Sequence, residues 1–182
     1  MQVAKVINTQ TNMSHWLNIL VSCVLLVALT GCNKRGGLQI DDTVPHVTLP
    51  DFKGKTVELP QKGNVMLVRF WSLECGFCDK EMLFSFESLY QKHKQQNFVP
   101  VAVNVSLIEA NDERIKRFES LTYPMLVDER GIVANKFGVI ALPTTFVIDA
   151  QGRLQKKISG EASLEELENQ VLQLLPKGNS NE

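Results

Sequence analysis

Two cysteines separated by Gly76 and Phe77 sit between an apolar run and a helical pattern, and that junction restricts the folds open to this chain. The run Asn64–Trp71, NVMLVRFW, has the near-continuous apolar content of a strand buried on both faces. Beyond Cys75 and Cys78, apolar residues return at Met82, Leu83, Phe86, Leu89 and Tyr90, the spacing of one helical face. The pattern predicts a helix from Cys75 to about Gln95. Arg69 interrupts the strand and needs a partner if it is buried. Strand alternation puts it on the face of Trp71.

The remaining pattern alternates in the same way. Val47–Leu49 and Thr56–Leu59 flank a loop with Gly54 and predict a β-hairpin. Phe98–Ser106 reads as a second buried strand, Asn111–Leu121 as a polar helix, and Met125–Asp128 as a short extended piece. A short helix over Arg130–Phe137 is expected to stop at Gly138. Thr144–Asp149 and Arg153–Ser159 form a hairpin about Ala150-Gln151-Gly152, and Ser163 with Glu166 makes a capping box for a last helix. This order predicts an α/β fold, a central mixed sheet flanked by helices with an N-terminal β-hairpin.

The N-terminal segment stands apart. Ile19–Leu29 is apolar except for Ser22, too short to span a bilayer comfortably and suited to the hydrophobic region of a signal peptide. Leu29-Thr30-Gly31-Cys32 resembles the lipobox of bacterial lipoproteins, which implies that residues 1–31 are removed and that Cys32 carries the lipid. Residues 32–44 then read as a lipidated cysteine with a flexible tether, 45–176 as the folded domain and 177–182 as a frayed tail. Net charge is −1, and removal of residues 1–31 takes away Lys5 and no acid, so nucleic acid is not an expected partner and the lipid must hold the membrane. Asn33 in place of the aspartate that retains lipoproteins at the inner membrane of enteric bacteria points to the outer membrane, where one exists.

Three readings of Cys75 and Cys78 compete. A structural zinc needs four ligands, and neither His46 nor His93 stands at ligand spacing, so no metal or other cofactor is expected. A staple across so short a loop removes little unfolded-state entropy. A redox dithiol suits a strand-to-helix junction, where free N–H groups and the helix dipole stabilise a thiolate. Cys75, the more exposed position, is then the nucleophile, and Cys78 resolves the mixed disulfide.

VRFWSLECGFCDKEM, followed about 65 residues after the pair by ALPTTFVID, resembles the thioredoxin superfamily. Over roughly residues 44–175 it is most similar to membrane-tethered, extracytoplasmic thiol-disulfide oxidoreductases of the TlpA/ResA type. The resemblance implies a thioredoxin-like fold, a cis bond at Pro143 beside the dithiol, and pairing of Leu142 with an extended substrate. It also puts Trp71 among the substrate-binding residues and gives Glu81 the task of moving a proton for Cys78. Implied partners are oxidised secreted proteins or apocytochrome c, and a DsbD/CcdA-like membrane electron donor. A net oxidant and a redox-inert binding module are the alternatives. The chain departs from the pattern at Arg69, where thioredoxin keeps a buried acid, and at Glu74, where it keeps a tryptophan. Leu83 replaces a proline usual after the KEM segment, and Gly76-Phe77 lacks the frequent proline. Arg69 is expected to meet Glu81 beneath the cysteines.

The anchor reading has a direct check. Cys32→Ala should leave the protein soluble or unprocessed in fractionated cells; a processed variant that still sediments with membranes would contradict the lipobox.

Overall fold

A computed structural model describes residues 37–109 and 112–176, so Cys32, Asn111 and the tail beyond Pro176 lie outside the described residues. Five strands form a central sheet in the order β5-β4-β3-β6-β7. Its middle strand is β3 (Val65–Trp71), parallel to β4 (Phe98–Asn104) and antiparallel to β6 (Thr144–Ile148). Strand β5 (Met125–Val127) extends the parallel side, and β7 (Leu154–Ser159) closes the other through the turn at Gly152. All seven residues of β3 are buried, as its apolar run required.

The two faces of β3 enter different cores. Val65, Leu67 and Trp71 pack with Met82, Leu83 and Phe86 of helix α1 (Glu81–His93) and with Leu167 and Val171 of the C-terminal helix, named α4 below. Met66, Val68 and Phe70 pack with Val133 and Phe137 of α3 (Ile132–Phe137) and with the hairpin β1 (Val47–Pro50) and β2 (Thr56–Leu59). On that side Phe70, Phe137 and Phe146 form a three-ring cluster with centroids 5.2 to 5.6 Å apart. Burial of such rings dominates core energetics, and truncating one costs about 3–5 kcal/mol.

Local chemistry accounts for most element ends. Helix α4 (Leu164–Leu172) starts where Ser163 Oγ accepts the Glu166 N–H. Gly138 stops α3 at φ 71°, and a Cβ there would lie 2.2 Å from Gly37 Cα, so only glycine fits this close approach. The hairpin covers the β5 edge through an Asp51–Leu126 bridge and the Phe52 N–H on the Met125 carbonyl.

Three boundaries differ from expectation. The polar helix over 111–121 shrinks to α2 (Glu113–Lys116), because Asp112 takes the Arg114 N–H and the Phe118, Glu119 and Leu121 N–H groups bond three residues back rather than four. Residues 41–44, expected to be free of the fold, pair with it. Asp41 and Val44 donate to Leu154 and Gly152 carbonyls, Thr43 bridges Arg153, and Val44 is buried, so this stretch adds backbone pairing to the β7 edge. The helix after the cysteines begins at Glu81, not Cys75, for reasons that belong to the site.

Helices α1 and α4 are joined by one carboxylate. Glu168 Oε1 lies 2.8 Å from His93 Nε2 and 2.7 Å from Lys92 Nζ. The His93 bond, followed by that of Lys92, holds the Glu168 carboxyl below its ordinary value of 4.5. A depressed carboxylate stabilises the fold fully above its unfolded value and loses that contribution as pH falls through the lower folded one. Glu168→Gln should therefore lower the melting temperature at pH 7 by roughly 3 °C, on the order of 1 kcal/mol. Thermal unfolding across pH should show the gap to wild type closing toward pH 3; a gap constant with pH would refute the carboxylate as its source.

Candidate active site

Cys75 and Cys78 lie on a turn between β3 and α1 and are joined as a disulfide. The loop leaves β3 at Ser72, whose Oγ accepts the Glu74 N–H and whose carbonyl accepts the Cys75 N–H. Buried Asn104, at the end of β4, takes the Leu73 N–H on Oδ1. The Asp79 N–H goes to the Glu161 carboxylate and the Glu81 N–H to Asp79 Oδ1. Side-chain acceptors thus claim N–H groups that a helix would send to carbonyls four residues back, which is why α1 starts three residues beyond Cys78. The dipole of α1 therefore acts on the cysteines from beyond its own first turn, more weakly than the sequence pattern implies. A nearer charge is Lys80, whose ammonium lies 3.0 Å from the Cys75 carbonyl oxygen.

The two sulfurs differ in access. Cys78 is buried at 6% exposure among Trp71, Met82 and other residues of the α1-side core, whereas Cys75 is half-buried. Cys75 Sγ lies 3.8 Å from the Leu142 carbonyl oxygen, and the Leu142–Pro143 bond is cis. The structure thus brings Leu142 and Pro143 to the dithiol, as the resemblance implied. Around them Phe77 and Ile140 stand 88% and 89% exposed, apolar side chains that the fold itself does not cover.

Trp71 is different. At 1% exposure, with its ring edge-on to Phe118 at 5.3 Å, it supports the cysteine loop from beneath and cannot touch a substrate in this conformation. Its Nε1 has no partner among the described residues.

The expected pairing of Arg69 with Glu81 is also overturned. Arg69 is fully buried on the Trp71 face, and its Nη2 donates at 2.6 Å to both oxygens of Glu161, in the segment between β7 and α4. Glu81 points outward with an exposed side chain and pairs with Arg117, which also lies over the rings of Phe84 and Phe118. Glu81 opens α1 on the solvent side, while the Glu161 segment approaches Arg69 from across the sheet. Nothing in the sequence singles out Glu161, since its position depends on how the β7–α4 connection folds back. Glu74 carries its own counter-ion, Arg114 at 2.6 Å, so its field on the cysteines is offset. Arg114 is in turn held above its ordinary range, first by Asp112 and then by Glu74.

Among the described residues no cluster of three or more His, Cys, Asp or Glu is placed to hold a metal ion, and no helix is long and apolar enough to cross a membrane. A broad cleft between β1 and α3, lined by His46, Asp51, Asp128 and Lys136, contains none of these site residues.

Known proteins are similar to this chain over most of its length. The model of the AhpC/TSA family matches residues 40–157. The thiol-disulfide oxidoreductase ResA of Bacillus thuringiensis subsp. konkukian is 31% identical over 144 residues, 79% of this chain and 83% of the relative. The sporulation thiol-disulfide oxidoreductase A of Bacillus subtilis is 28% identical, over 72% of this chain and 84% of its own length. Among solved structures, a thiol:disulfide interchange protein DsbE of Chlorobium tepidum superposes with a TM-score of 0.68 at 27% identity, covering 76% of this chain and 99% of that one.

The unequal burial of the sulfurs predicts unequal reactivity. In the reduced protein, Cys75 should alkylate at least about tenfold faster than Cys78. Mass-spectrometric time courses with iodoacetamide check this, and faster labelling of Cys78 would reverse the order of attack.

Proposed function

Since this chain belongs to the AhpC/TSA family of thioredoxin-like proteins and is a thiol-disulfide oxidoreductase, we propose that it serves as a lipid-anchored reductase of the cell envelope. Its substrates are disulfides of secreted proteins or of apocytochrome c. The observation that carries this reading is the partly buried Cys75, its sulfur beside the Leu142 carbonyl at a cis-proline, with the partner cysteine buried. The lipobox at Leu29–Cys32 supports the anchor.

In this reading the Cys75 thiolate attacks one sulfur of the substrate disulfide. That S–S bond breaks, and the other substrate sulfur leaves as a thiolate and takes up a proton. Cys78 then gives up its proton and attacks Cys75 Sγ, which forms the Cys75–Cys78 disulfide and releases the second substrate thiol. Two electrons pass from the dithiol to the substrate, and a reduced membrane dithiol of the DsbD/CcdA type restores the starting state. An extended substrate segment pairs with the backbone at Leu142 and rests its apolar flanks on Phe77 and Ile140. Glu81 is turned to solvent and paired with Arg117, so the Cys78 proton passes to water without it.

Cys78→Ser should trap substrates as mixed disulfides on Cys75, and Cys75→Ser should trap none. The wild type should speed insulin reduction by dithiothreitol, and both variants should lose most of that rate. An inert wild type would favour a binding module, and a wild-type Cys75–Cys78 disulfide that oxidises client thiols faster than the dithiol reduces client disulfides would favour a net oxidant.

A further inference from the structure

We infer that Glu161 is a positioning residue of the dithiol site, which joins the cysteine turn to the cis-proline strand and balances the charge of Arg69 beneath them. The inference rests on the redox reading of Cys75 and Cys78 but not on any particular substrate. Five hydrogen bonds define the role. Glu161 Oε1 accepts the N–H of Asp79, the residue after Cys78, at 2.7 Å. The neighbouring Gly160 N–H donates to the Pro143 carbonyl at 2.8 Å. Arg69 Nη2 donates to both Glu161 oxygens at 2.6 Å, while its Nη1 reaches Thr145 Oγ1, two residues past Pro143, at 3.4 Å. One short segment between β7 and α4 therefore touches both halves of the site.

The electrostatic consequence follows from burial. Arg69 is fully enclosed on the Trp71 face of β3, whose core cluster also holds Cys78, so its field is poorly screened by water. The Glu161 carboxylate cancels most of that field. Without the carboxylate, the cation favours thiolate over disulfide and raises the reduction potential of the pair. Without the cation, the carboxylate acts in the opposite sense. A bond that only braces the fold has no such sign.

Glutamine at position 161 keeps an oxygen for the Asp79 N–H and removes the charge. Purified Glu161→Gln should therefore shift the dithiol–disulfide equilibrium against glutathione toward the reduced form by about tenfold, roughly 30 mV. Arg69→Met should shift it toward the disulfide, and the double variant should return near wild type. Glu161→Asp, which restores the charge, should lie close to wild type and decides the matter if Arg69→Met does not fold. Melting temperatures that fall while every potential stays put would overturn the inference, as would single variants that move the potential in the same direction. Both outcomes are separable from failure of the reductase reading, which would show as a wild type inactive on insulin.

Discussion

Strand β3 is enclosed on both faces and hydrogen-bonded along both edges, and yet it carries an arginine. A buried cation without a counter-charge costs several kcal/mol, so the chain must bring a carboxylate to it. Glu161 meets that need from the segment ahead of α4. Because the same carboxylate also takes the Asp79 N–H, the neutralisation of Arg69 and the placement of the cysteine turn are one interaction. The fold could not relax one without disturbing the other.

The site occupies the end of the sheet where β3 and β4 finish and β6 begins. Asn104 from β4 holds the loop at Leu73, Glu161 holds it at Asp79, and the Leu142–Pro143 bond faces Cys75 from the start of β6. Few of these anchors are helical. The turn is therefore set by side-chain acceptors attached to a rigid sheet, an arrangement suited to keeping two sulfurs within bonding reach. Local charges are paired off around it: Glu74 with Arg114, Glu81 with Arg117, Glu161 with Arg69. Of these three pairs only the last has a fully buried member, Arg69, so it is the one least screened by water.

The surface around Cys75 contrasts with this balance. Phe77 and Ile140 remain open to solvent near a cysteine that is itself partly buried. Burying either ring or branch against a client would remove apolar area from water at about 25 cal/mol per Å². Such gains are small singly, which fits an exchange enzyme that must release its product as readily as it binds. The relatives named as thiol-disulfide oxidoreductases share this scaffold at about 30% identity, a level at which the fold is held while surface residues diverge.

The amino-acid sequence alone determined the strand and helix order, the β3 core strand, the hairpin at Gly152, the Ser163 cap of α4, the stop at Gly138 and the cysteine pair at a strand-to-helix junction; the proline beside that pair came from the family resemblance. Each rests on local periodicity, on a turn residue or on a short motif, and needs no knowledge of what lies across the sheet. It also required that Arg69 be neutralised, since a cation in an apolar run must find a partner. Only the tertiary structure decided which carboxylate that is. Glu81, the nearer of the two along the chain, turns to Arg117, and Glu161, 92 residues from Arg69, takes the place. The same holds for Trp71, packed against Phe118, and for the late start of α1, where Glu161 from another segment claims the Asp79 N–H. Long-range pairing depends on how connections fold back over the sheet, and that geometry leaves no periodic mark in the residues that carry it.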